Sequence, residues 1–312
     1  MTRTSFIVGG VVWLSAWIVL RLPLEAAVLT FTPLVLVPLG LKLMHSESPF
    51  IRSAARWQLP TAIALAASFL PAQGPLAALL ATPWLIVTLL LAADGLARLR
   101  RHGFRIDHPA GEIAALLFIS VGGAWAVISR AGLRPQDFSP AIVLLTGVHF
   151  HYAGFILPLV TAAVLRSRDR LDALDRLMLL SIIGGVPAVG LGISLSPHLE
   201  VAAALILSIG CVILAVRQIQ AALLTGNATR VSLALVSSLS LASAMALAAI
   251  YAAGEFAGQH WLAIPTMIRT HGALNAFGFA ACGIAAWSSG IASLRSRRQR
   301  HFPTLSCSNS SG

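Results

Sequence analysis

The chain has 312 residues, of which 57% are hydrophobic and 11% charged, with a mean hydropathy of +0.83. A soluble domain carries about 25% charged residues, and one this apolar would show water larger greasy patches than soluble monomers tolerate. The composition excludes an ordinary soluble domain and points to an integral membrane protein. The formal charge of +11 does not indicate nucleic acid as a partner, because the basic residues lie between apolar runs with no polar domain to carry them as a stripe. In that position they serve as orientation signals and as contacts for anionic lipid headgroups.

A bilayer core takes about 20 mostly apolar helical residues, and an unpaired backbone group in lipid costs several kcal/mol. Each long apolar run therefore predicts a spanning helix. In chain order the runs are 5–20, 26–44, 59–72, 75–97, 111–129, 140–165, 175–195, 199–224, 230–251 and 264–293. They predict an all-α, polytopic transmembrane helix bundle of ten spans filling residues 1–293. The first run resembles a secretory signal, but no small-residue cleavage site precedes the second, so it reads as a retained helix. The third and fourth flank Pro71-Ala72-Gln73-Gly74-Pro75, whose prolines favour a tight turn, and so form a hairpin. The tail 294–312, basic and then Ser-rich, reads as disordered.

Arginine and lysine collect on cytoplasmic loops. With the N-terminus inside, the inner segments hold Arg3, then Lys42, Arg52 and Arg56, then four arginines over 98–105, four over 166–176, Arg217 with Arg230, and four over 295–300. The outer segments hold Arg21, Arg130, Arg134 and Arg269. This alternation predicts both termini in the cytoplasm. Glu25, Glu200 and Glu255 fall near outer helix ends, whereas Asp107, Asp169, Asp172 and Asp175 lie among inner arginines. The inner group reads as solvated ion pairs, each worth about 0–1 kcal/mol. Asp94 and Glu112 belong to the inner ends of the fourth and fifth spans, facing Arg98 and Arg105. Cys211, Cys282 and Cys307 lack metal-type spacing, and the first two read as small core residues.

Polar side chains inside spans usually face the bundle interior and are candidate site residues by default. One cluster, Gly147-Val148-His149-Phe150-His151-Tyr152-Ala153-Gly154-Phe155, lies in the sixth span, and a second, Arg269-Thr270-His271-Gly272-Ala273-Leu274-Asn275-Ala276-Phe277-Gly278-Phe279, in the tenth. Counted at about 1.5 Å per residue from the outer end of each span, the two share a level. They converge there if the helices are neighbours. His271 and Asn275, four apart, share a face. His149 and His151, two apart, are separated by about 200° on a regular helix and make a poor chelate. Pro158 frees the carbonyl of Gly154 and can bend the helix below them. The predicted binding set is His149, His151, Tyr152, His271 and Asn275, with no metal site assigned and no nucleophile matched to a base. The bland alternative is interhelical hydrogen bonding worth about 0.6 kcal/mol per contact.

In the seventh span Gly184-Gly185-Val186-Pro187, with Gly190 and Gly192, predicts either a broken helix lining a cavity or close packing through small residues. His260 with Glu255, and His198 with Glu200, read as solvated loop residues or as an outer vestibule or metal site. No Gly-rich phosphate loop of either common type is present.

Through His149-Phe150-His151-Tyr152-Ala153-Gly154-Phe155 and through His271-Gly272, Asn275-Ala276 and Gly278-Phe279, the chain resembles the YndJ-like family of bacterial membrane proteins. The helix pattern from about residue 110 onward is also similar. The resemblance implies a multi-pass protein of the bacterial inner membrane, sometimes labelled transporter-like, and brings no catalytic residue and no cofactor. Three functions fit these residues. The first is a transporter-like bundle binding a small or lipid-like molecule. The second is a membrane enzyme acting on lipid or isoprenoid, or a heme or metal redox protein, using the same histidines. The third is an assembly partner without chemistry. Span centres without acidic residues weigh against ion-driven transport.

Overall fold

A computed structural model describes residues 3–44 and 48–288; the tail and the end of the tenth run lie outside the described residues. Among the described residues every regular element is helical. The helices form ten successive rods: α1 (Arg3–Val19), α2 (Leu24–Leu43), α3 (Pro49–Ala67), α4 (Pro75–His102), α5 (Ala110–Ala131), α6 (Pro140–Leu165), α7 (Ala173–Leu195), α8 (Pro197–Leu223), α9 (Ala228–Phe256) and α10 (residues 264–288). Each apolar run thus becomes a rod. Seven of them, α2 and α4 through α9, are long and apolar enough to cross a membrane, against ten expected.

Local chemistry sets the boundaries. Ser48 accepts a hydrogen bond from the Ile51 N–H, and Pro49 opens the helix. The cap starts α3 about ten residues ahead of its apolar run, so Arg52, Arg56 and Gln58 fall on a helix and not in a loop. Ser139, Asp172 and Asn227 cap α6, α7 and α9 in the same way, Asp172 in a reciprocal capping box with Asp175. Gly132, left-handed at φ 74°, ends α5.

Neighbouring rods pack as antiparallel hairpins from α3 to α6 and again from α7 to α10. The tightest joins α7 to α8 through Ser196 alone. There Gly192 lies against Glu200, Gly185 against Leu207 and Gly210 against Ser181. A β-carbon on Gly192 would stand 2.4 Å from Glu200 Cα. This corrects the expectation of a break at Gly184–Pro187: α7 runs through it as continuous helix. Its small residues let two backbones approach.

The irregular backbone lies elsewhere, as π-helical stretches in α2 (Thr32–Leu36), α6 (Tyr152–Ile156) and α10 (Ile268–Gly272 and Leu274–Ala281). In α6 the Leu157 N–H bonds to Tyr152 O, one residue further back than in an α-helix, just ahead of Pro158. In α2, the most buried rod, the Val37 N–H likewise bonds to Thr32 O. Because Pro38 has no N–H, the shift leaves Pro33 O without a helical donor. Gln58 Nε2 of α3 donates to it instead. Leu34 O is covered by Gly9 of α1, where a β-carbon would stand 2.0 Å from that oxygen.

At the arginine-rich end, Arg98 pairs with Asp94 (2.8 Å) and Glu112 (2.9 Å), and Arg166 also reaches Glu112. Arg105 instead pairs with Asp107 (3.3 Å). Next to these pairs, Arg168 and Arg217 both hold Asp172 and Asp175. Asp175 is 0% exposed and Asp94 1%. The expectation of solvated pairs is therefore corrected for Asp175. The capping box folds it under the turn, where two guanidiniums replace its water.

Candidate functional site

On α6 the two histidines face opposite ways, as their phase requires. The ring of His151 is fully buried. Its Nδ1–H donates to Gly147 O (2.7 Å), and Nε2 accepts from the Trp84 indole N–H of α4 (2.9 Å). The rings lie 6.1 Å apart and nearly parallel. Gly122 of α5 makes room, since a β-carbon there would meet His151 Nδ1 at 2.7 Å. With both nitrogens engaged, His151 is fixed as one neutral tautomer. The Tyr152 hydroxyl donates to Val28 O of α2 (2.9 Å).

His149 turns to α7, where its Nε2–H donates to Val186 O (3.3 Å). The carbonyl fixes the tautomer, so Nδ1 carries a lone pair. Nδ1 has no hydrogen-bond partner among the described residues. On α10 the His271 Nδ1–H donates to Ala244 O of α9 (2.8 Å), and Nε2 accepts from Asn275 Nδ2 (3.1 Å). The same amide nitrogen donates to His271 O (3.1 Å). Asn275 Oδ1 is left without a partner among the described residues.

The π stretches of α6 and α10 touch. Of the five expected residues, the structure pairs His271 with Asn275 on α10 and turns His149 of the neighbouring α6 toward α7. It sends His151 toward α4 and α5 and Tyr152 toward α2. Trp84 and Gln58, both fully buried, were not anticipated. Nor was Gln218, whose amide donates to Ala234 O and Ser238 Oγ, both at 3.2 Å. A glutamine inside an apolar helix is a usable signal; the pairing of Trp84 with a histidine 67 residues away is not.

Elsewhere His260 Nδ1 lies 2.9 Å from Glu255, and His198 meets Phe256 edge-on. Among the described residues no three His, Cys, Asp or Glu side chains converge so as to hold a metal ion. A cleft of about 210 Å³ opens at the arginine-rich end beside Arg168, Arg170 and Arg217, lined by none of the five expected residues.

An all-helical body with seven apolar rods long enough to cross a membrane defines a multi-pass membrane protein. The chain belongs to the YndJ-like family, whose profile, described as YndJ-like protein, matches residues 27–279. It is 29% identical over 204 residues to the protein named "Uncharacterized membrane protein YndJ" of Bacillus subtilis (strain 168), covering 65% of this chain. The chain spans 37% of the length of that relative. No solved structure matches it.

Proposed function

We propose that this chain is a transporter-like protein of the bacterial inner membrane that binds a small molecule at His149, His271 and Asn275. One observation carries the reading. Where two π-distorted rods meet, His149 Nδ1 and Asn275 Oδ1 lack protein partners, although the atoms around them are paired. Both are acceptors, so the ligand they suit is a hydrogen-bond donor such as an alcohol or an amide. π turns of this kind recur at functional sites. His151 and Tyr152 support the site by holding α6 against α4 and α2.

The test is native mass spectrometry on protein extracted with its own lipid. A small-mass adduct is expected in the wild type and in Ser208→Ala, and is lost in His149→Phe and Asn275→Leu. An adduct indifferent to all three substitutions overturns the reading. Counterflow of the adduct into vesicles then tests transport itself.

A further inference from the structure

The π turn of α2 gathers polar atoms whose acceptor capacity the fold does not fill. Thr32 and Gln58 are each 0% exposed, yet Gln58 Oε1 has no hydrogen-bond partner, and the Thr32 hydroxyl has only the Tyr152 side chain within reach. Both belong to one turn: Thr32 precedes Pro33, and the Gln58 amide nitrogen sits on Pro33 O. Val28, one turn earlier on the face of Thr32, receives the Tyr152 hydroxyl. Pro33 also deprives Leu29 O of its α-helical donor.

These groups share one chemistry. They are neutral oxygens whose nearby protons are largely committed, Thr32's toward Tyr152 Oη, Tyr152's to Val28 O and one of Gln58's to Pro33 O. A water molecule would bring two donors and two acceptors to a place short of donors. A cation needs only acceptors. The lack of a carboxylate among these oxygens favours a single charge, since divalent ions draw on carboxylates. Unwound carbonyls in membrane helices hold sodium by the same logic.

We propose that the π turn of α2 is a binding site for a monovalent metal cation, with Thr32 Oγ1, Gln58 Oε1, Tyr152 Oη and the Leu29 carbonyl as its oxygens. The site is separate from His149, His271 and Asn275 and stands whether or not they bind a ligand.

Thermal unfolding of the purified full chain tests it, in sodium or potassium chloride against choline chloride at equal ionic strength. A cation that binds only the folded state raises Tm with concentration, here by about 2–4 °C at ten times its Kd. Thr32→Val keeps the shape, removes only the hydroxyl, and is expected to abolish the rise while folding normally. Gln58→Leu is a poorer probe because it also strips Pro33 O of its donor. Equal Tm in metal and choline salts for the wild type overturns the proposal and leaves an ordered water. A metal-dependent rise that survives Thr32→Val also overturns it, by placing the ion elsewhere.

Discussion

His149 and His151 are separated by one residue and do unlike work. His151 is a structural pin. A fully buried acceptor, its Nε2 depends on the indole of Trp84, and a buried polar atom stripped of its partner costs about 1–3 kcal/mol. Trp84→Phe, which keeps an aromatic ring and removes the N–H, is expected to destabilise the protein by about that much, measured by thermal unfolding in detergent. No loss would mean that water replaces the indole. Helical phase made the divergence of the two rings legible from the sequence. It did not tell which ring is sealed, because that depends on Trp84 and Gly122, on helices whose packing no local pattern specifies.

Among elements, the apolar runs located all the rods, because burial in lipid leaves the backbone no alternative to helix. Where a helix would deform was less legible. Pro187 sits inside a regular α7, whereas Pro33, Pro38 and Pro158 accompany π turns. Side chains from other rods decide the difference: Gln58 covers the carbonyl freed in α2. The glycines of α7 separate in the same way. A β-carbon on Gly185 meets Leu207 Cβ at 2.9 Å, but one on Gly184 meets nothing within 4 Å. Gly185→Ala should therefore cost about 1–3 kcal/mol through overpacking against α8. Gly184→Ala should be neutral or gain up to about 1 kcal/mol from helix propensity. Equal effects in thermal unfolding would show that the α7–α8 contact does not depend on close approach.

Across the whole molecule, two charge-balanced clusters tie the rods together at one end, Asp94 and Glu112 with Arg98 and Arg166, and Asp172 and Asp175 with Arg168 and Arg217. Residues 166–168, at the end of α6, belong to both, so α6 links α4 and α5 to α7 and α8. The loop composition announced the charges but not the burial of Asp175, which follows from the capping box drawing it beneath the turn. Acid should loosen this end first. The Asp175 backbone N–H, and then Arg217 and Arg168, hold the Asp172 carboxyl below the usual carboxylate range. A carboxylate lowered in the folded state favours folding at pH values above its unfolded pKa of about 3.9, and that contribution is lost as pH falls through the folded value. Tm should thus be insensitive to this group between pH 7 and 5 and drop below about pH 4. Asp172→Asn should flatten that drop and lower Tm at neutral pH. Asp175→Asn should cost more, toward the lower end of the about 3–5 kcal/mol for breaking a buried pair, because Arg168 keeps contact with solvent. An acid transition identical in wild type and Asp172→Asn would move the origin of the pH dependence away from the α7 turn.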